Sequence, residues 1–316
     1  MKIALVTPAR PVAHSGNRNT AMRWARMLRE LGHRVDVQMR WNSKSADLMI
    51  ALHARRSHDA VAAFARVYPT RPVILMLTGT DLYHDIQYDA RAKHSLQLAS
   101  RLVVLQERGP AELARSLRAK TRVIYQSTQR IPRTRPLASC FEVCVSGHLR
   151  DVKDPFRLAA ALQYLPADSR IRAVQVGGAM NAAMGLSAQR WIRREPRYRW
   201  LGEVPHGVAL RRLARARLMV ISSRMEGGAN VVTEALAAGV PVIASRIPGN
   251  VGMLGSAYAG YYPYGDERAL ARILWRAESD PAFYARLERQ CAARRKLTDR
   301  AREKSALRQL LRELTA

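Results

Sequence analysis

Short apolar runs alternate along the chain with longer stretches of helical period. The runs at 2–7 (KIALVT), 47–52 (DLMIAL), 72–79 (PVILMLTG) and 101–106 (RLVVLQ) are almost continuously hydrophobic, and 34–39 (RVDVQM) and 121–126 (TRVIYQ) are weaker examples. Continuous short runs of this kind predict strands buried on both faces of a parallel sheet. The segments 20–32 (TAMRWARMLRELG), 57–68 (SHDAVAAFARVY), a stretch ending in 95–99 (SLQLA), and 109–118 (GPAELARSLR) have the spacing of amphipathic helices that cover such a sheet.

The alternation stops at 128–139 (TQRIPRTRPLAS), where two prolines and several arginines predict a linker. It then restarts. Strands are predicted at 141–147, 171–178, 198–203, 217–223 and 240–245, and helices at 154–165, 188–194, 207–216 and 230–239, with the remainder from Asp266 helical. A length of 316 residues exceeds what one core usually fills. The expectation is an α/β protein with two Rossmann-like doubly wound domains, 1–127 and 140–297, facing across a cleft. A final stretch, 298–316, is expected to pack back on the first domain. Sheets of this type bind ligands beyond the carboxyl ends of their strands, so each strand-to-helix loop is a candidate site.

Composition narrows the class. The hydrophobic content of 48% is ordinary for a globular protein, and no run approaches the ~18 apolar residues of a membrane span. The opening apolar run is too short for a signal peptide, and three cysteines without paired spacing support neither a disulfide framework nor a zinc site. A cytoplasmic location is expected. The net charge of +28 favours anionic partners. Basic runs such as LRRLARARL also read as solvated helix surface. None is interleaved with an aromatic stacking platform, so nucleic acid is not an expected partner, nor is stable membrane association.

The segment 222–250 (SSRMEGGANVVTEALAAGVPVIASRIPGN) carries the most chemistry. After a buried strand it offers Glu226, the pair Gly227 and Gly228, and a helix holding Glu234 and closed by Gly239. The glycines would let backbone N–H groups approach a ligand, the helix start suits a phosphate, and the carboxylates would accept hydrogen bonds from hydroxyl groups. That combination suits a nucleotide-sugar. The plainer alternative is that both glutamates complement a helix dipole.

This segment resembles the nucleotide-sugar motif of the retaining GT-B glycosyltransferases of the glycogen-synthase-like GT4 type. The resemblance implies that Glu226 holds the donor sugar and Glu234 the ribose, with Asn230 beside them. RVIYQSTQ resembles the segment that closes the first domain in that family, and VSGHLRDVKDP the phosphate-binding stretch that opens the second. There the family pattern is Gly-Arg-Leu, three residues, then Lys. Here Gly147, His148 and Leu149 precede Arg150, Asp151, Val152 and Lys153, so Lys153 fits while a histidine replaces the arginine. Arg150 is a candidate compensating charge, and His148 a group that titrates near neutrality.

Longer phrases, among them GNRNTAMRWARMLRELGH, ALHARRSH, LTGTDLY, PRYRWLGE and SRIPGNVGMLG, resemble the selenosugar synthases of selenoneine biosynthesis. That resemblance implies a UDP-sugar (UDP-N-acetylglucosamine or UDP-glucose) and selenophosphate as substrates, with no metal and no cofactor. Gly16 is then a donor-side candidate. Asn17, Arg18, Arg55, Arg56, Thr80 and Asp81 are acceptor-side candidates, the arginines being suited to clamp a phosphate-like group. Asp81, Asp85 and Asp89 could share a helix face, but without an Asp-x-Asp pair they do not make a persuasive hard-metal site. A conventional GT4 transferase with a sugar, lipid-linked or natural-product acceptor, a UDP-sugar epimerase, and a basic protein that binds anionic polymers remain alternatives. The sequence does not specify an oligomeric state.

Overall fold

In the computed structural model, which describes residues 1–9 and 16–315, six strands form a first parallel sheet. They are β1 (Lys2–Val6), β2 (Arg34–Gln38), β3 (Leu48–Leu52), β4 (Val73–Met76), β5 (Arg101–Val104) and β6 (Thr121–Val123), in the order β2-β1-β3-β4-β5-β6. Every residue of β3 and β4 is buried, which accounts for their unbroken apolar sequence, whereas the edge strand β2 has no buried residue. Both faces are covered. On one, Trp24, Met27 and Leu28 of the helix Gly16–Glu30 cluster with Leu307, Leu310 and Leu311 of the helix Arg300–Thr315. On the other, Val61 and Phe64 of the helix His58–Val67 cluster with Leu82 and Leu96.

A second parallel sheet contains β7 (Phe141–Ser146), β8 (Ile171–Val176), β9 (Tyr198–Trp200), β10 (Leu218–Ile221), β11 (Val242–Ser245) and β12 (Tyr261–Tyr262), in the order β12-β11-β10-β7-β8-β9. Val143 of β7 pairs with Leu218 of β10 at its centre. Strand order runs outward in opposite directions from that pair, so the loops after β7 and β10 flank the topological switch point, where such sheets open a crevice. The α/β class and the doubly wound plan expected from the sequence are both present.

The chain clusters into two units. One holds Met1–Ser127, Glu226–Gly228 and Arg300–Ala316; the other holds Thr128–Met225 and Ala229–Asp299. The proline-rich stretch 128–139 lacks regular structure but is not a free tether. Arg133 Nη1 donates to the carbonyls of Ala214 and Ala216, each at 2.7 Å, and Ile131 is buried.

Local departures from the sequence reading have physical causes. The helix expected at 109–118 is a 3-10 turn, Gly109–Glu112, and a single helical turn, Arg115–Arg118. Leu113 between them is extended and buried, and Gly109 sits where a Cβ would come within 2.7 Å of Val104 Cβ. The helix expected from 188 begins at Ala182, because the Asn181 side chain accepts a hydrogen bond from Met184 N and caps it there. The loop expected after β1 falls largely on residues 10–15, outside the described residues.

Candidate active site

The loops at the switch point of the second sheet are fastened to each other. Ser222 Oγ donates to the carbonyls of Lys153 (3.0 Å) and Asp154 (2.8 Å), and Arg224 N donates to Val152 O at 2.9 Å. Lys153, at the end of the one-turn 3-10 helix Asp151–Lys153, is thereby held beside the segment that follows β10. Upstream, Gly147 N bonds Val176 O at 2.9 Å and Leu149 N bonds Gly178 O at 2.9 Å, so Gly147–Leu149 runs alongside the end of β8. The approach is close enough to demand glycine. Gly177 has φ +136°, and a Cβ there would lie 2.0 Å from Gly147 O. The half-buried His148 ring faces the same place, with Nδ1 3.5 Å from where a Gly178 Cβ would stand. Arg150 is exposed. Gly177 and Gly178 escaped the sequence reading because VGG looks like an ordinary strand end; the paired glycine was the available signal.

Glu226 follows in the loop after β10 and is buried, at 6% exposure. Burial, and next the carboxylates of Glu112 and Glu226, push the Tyr83 hydroxyl above its ordinary range, which places Tyr83 within the field of Glu226. Tyr83 was not foreseen. The glycine pair lies close to the protein itself, Gly227 against backbone and Gly228 against a side chain. A Cβ on Gly227 would lie 2.5 Å from Thr78 C and O, and one on Gly228 would lie 2.5 Å from Leu105 Cβ. Gln126 Nε2 donates to Gly228 O at 2.5 Å.

Asn230 opens the helix Asn230–Ala238, whose N-cap Ala229 provides no side-chain cap. Glu234 lies in its second turn, 9% exposed. His206, at the start of the helix His206–Arg215, donates through Nε2 to Glu234 Oε1 at 2.9 Å. This hydrogen bond raises the His206 pKa, against the opposing effect of burial. Nothing in the sequence around PHGVAL signalled that pairing across 28 positions.

The acceptor-side candidates lie in the first unit, and their surroundings redistribute the expected roles. Asp81 is fully buried and committed to the backbone: Oδ1 accepts from Thr78 N (2.9 Å) and Gly79 N (2.8 Å), and Oδ2 from Ala54 N (2.9 Å). It shapes the Thr78–Gly79 turn against which Gly227 lies, instead of standing open to a ligand. Arg55 pairs with Asp89 at 3.0 Å and approaches Asp85 at 3.7 Å, so its guanidinium is shared with carboxylates. Asp81–Asp85 is a π-helical turn and Asp89 caps the next helix, so the three aspartates have separate structural jobs. Among the described residues no group of His, Cys, Asp and Glu is arranged to hold a metal ion. Thr80 is half-buried and bonds the ring of His53 at 3.1 Å; His53 is itself buried at the unusual φ of +75°. Arg56 is exposed, while Gly16, Asn17 and Arg18 begin the helix Gly16–Glu30, with Asn17 and Arg18 half-buried. No described helix is long and apolar enough to cross a membrane.

Residues 138–297, half of the chain, match the family described as glycosyl transferases group 1. Similar solved structures include a sucrose-phosphate synthase from Thermosynechococcus elongatus, with 19% identity over 99% of both chains and a TM-score of 0.79. HepE from Anabaena, in complex with UDP and glucose, is 19% identical over 100% of this chain and 99% of its own, with a TM-score of 0.77. A UDP-forming alpha,alpha-trehalose-phosphate synthase from Burkholderia vietnamiensis is 11% identical over 96% of this chain and 79% of its own, with a TM-score of 0.71. At these identities the likeness is one of fold. No curated protein sequence matches the chain.

Proposed function

The chain belongs to the group 1 glycosyl transferases, and from that membership we propose that it is a cytoplasmic enzyme that transfers the sugar of a UDP-sugar to the selenium of selenophosphate. The observation that carries the donor half is the fastening of the Lys153 turn to the Ser222–Arg224 segment at the second sheet's switch point, a segment that leads along the chain to Glu226. A nucleotide diphosphate calls for a cation and for a carboxylate that accepts from its ribose, and the second unit carries Lys153 and Glu234. Uridine is chosen because HepE, which shares the fold, is seen with UDP and glucose. The acceptor half draws support from the long phrases shared with selenosugar synthases.

In this reading Glu234 receives the ribose hydroxyls and Glu226 the donor sugar. Lys153, Arg150 and the start of the helix at Asn230 take up charge as the diphosphate leaves. His148 offers a ring N–H to a phosphate oxygen. Because Glu234 is engaged by His206, the ribose must share or displace that bond. Arg18, Arg56, Asn17 and Thr80 are the acceptor-side groups; Arg55, already paired with carboxylates, contributes less. A selenium lone pair forms the bond to the anomeric carbon while the C–O bond to the β-phosphate breaks and its electron pair leaves with UDP. Water then attacks phosphorus, the Se–P bond breaks, and the selenium takes up a proton, leaving a selenosugar and phosphate. Selenium is a strong nucleophile, so leaving-group stabilisation and orientation carry the catalysis.

The test is UDP release from UDP-N-acetylglucosamine or UDP-glucose, with and without selenophosphate. Release that requires selenophosphate and disappears in Glu226→Gln supports the proposal. Release that ignores selenophosphate but requires a sugar acceptor identifies a conventional transferase. Failure of UDP to raise the melting temperature removes the donor half as well.

A further inference from the structure

Glu303, on the helix Arg300–Thr315, is 1% exposed and is reached by several donors. It accepts from Arg23 Nε at 3.0 Å, Trp24 Nε1 at 2.8 Å, Ser127 N at 2.8 Å and Ser127 Oγ at 2.5 Å. So many bonds to one buried carboxylate exceed what is needed to attach a helix whose Leu307, Leu310 and Leu311 are already buried. They fix Arg23, and Arg23 passes the constraint on. Its Nη2 donates to Gln126 Oε1 at 2.6 Å, and the Thr20 hydroxyl donates to the same oxygen at 2.6 Å.

A guanidinium can only donate, so the Gln126 amide has a single workable orientation, with oxygen toward Arg23 and nitrogen toward Gly228 O. Gln126 is 2% exposed and its amide nitrogen donates to that carbonyl at 2.5 Å. A chain of charge-assisted and neutral hydrogen bonds thus runs from the last helix to the loop that carries Glu226. The groups lie far apart in sequence: Gln126 and Gly228 by 102 positions, Arg23 and Glu303 by 280.

We propose that Gln126 is a positioning residue for the reaction: oriented by Arg23 and Glu303, it holds the Glu226–Gly228 loop, and so the Glu226 carboxylate, in the reactive geometry. This rests on the donor-site reading above. Glu234 belongs to a separate element, the helix Asn230–Ala238, so the inference predicts that nucleotide affinity and turnover come apart when Gln126 is changed.

The sharpest variant is Gln126→Glu. It preserves shape and still accepts from Arg23 and Thr20, but an ionised carboxylate has no N–H for Gly228 O. Calorimetry with UDP, melting temperature, and UDP release from the UDP-sugar should be measured together. The expected result is UDP affinity within about threefold of wild type and turnover reduced by about tenfold or more, as for a misoriented reacting group. Glu303→Gln, which weakens the hold on Arg23, should show the same split in smaller measure. If Gln126→Glu is too unstable to assay, Gln126→Met removes both polar ends without adding charge and gives the same readings. Wild-type turnover in a folded Gln126 variant overturns the positioning role, as does a parallel loss of stability, UDP affinity and turnover, which marks a scaffold residue. A wild-type protein that neither binds UDP nor consumes UDP-sugar overturns the donor-site reading itself, a result separable from the other two.

Discussion

A single methyl group at Gly227 tests how tightly the candidate catalytic loop is built. In Gly227→Ala the new Cβ would stand 2.5 Å from both C and O of Thr78 and 2.8 Å from Gly79 N. Carbon atoms sit comfortably at about 3.5–4.0 Å, so the two backbones must part by about 1 Å. The Thr78–Gly79 turn cannot yield cheaply, because Asp81 binds both of its N–H groups and is itself held by Ala54 N. Overpacking of this kind costs about 1–3 kcal/mol. At about 2–4 °C per kcal/mol for a unit of this size, the melting temperature should fall by about 2–12 °C. Turnover should fall further, by about 100-fold, because the displaced residue is the immediate neighbour of Glu226 and a misplacement near 1 Å has that order of effect. Scanning fluorimetry and UDP release from the UDP-sugar read the two quantities. Gly239→Ala is the control. At φ +69° with open space around it, it introduces backbone strain of about 1 kcal/mol and should leave turnover intact. Wild-type stability and turnover in Gly227→Ala would refute the close-approach argument, and so would an equal loss of turnover in Gly239→Ala.

The remaining expectations concern charge. His206 has a pKa raised by its hydrogen bond to Glu234. Its contribution to stability is complete below the unfolded-state value of about 6.5 and is lost as pH rises through the higher folded-state value. The melting temperature of wild type minus that of His206→Gln should therefore shrink as pH rises above the unfolded-state value, and a constant difference contradicts the pairing. Arg215 pairs at 2.9 Å with Glu142, which is 5% exposed, so Arg215→Met strands a buried carboxylate. The cost should be about 3–5 kcal/mol, read as loss of stability in urea; a change under about 1 kcal/mol contradicts the account. Glu226→Gln should abolish UDP release while the melting temperature stays within about 2 °C of wild type, and retained release would remove Glu226 from the chemistry.

The layered plan was legible because buried parallel strands must be continuously apolar: LMIAL and VILM could be little else. The loop chemistry was legible in type but not in use. The Gly227–Gly228 pair announced a close approach, yet sequence spacing cannot say whether the neighbour is a ligand or, as found, the backbone of Thr78 and the side chain of Leu105. Arg55 read as a phosphate clamp because its carboxylate partners, Asp85 and Asp89, stand more than a helix away in sequence. Glu303 gave no sign at all, since REKSALRQLL has the look of any solvated helix until the fold buries that one face against Arg23 and Trp24. Helix limits shifted for local reasons, such as the Asn181 cap.

Titrating UDP into the wild-type protein and into Glu234→Ala in a calorimeter addresses the central claim most directly. The account predicts saturable binding to wild type and a loss of at least about tenfold in affinity for the variant, the share expected of hydrogen bonds to a charged acceptor. Flat titrations for wild type, or equal affinity for both proteins, would contradict it.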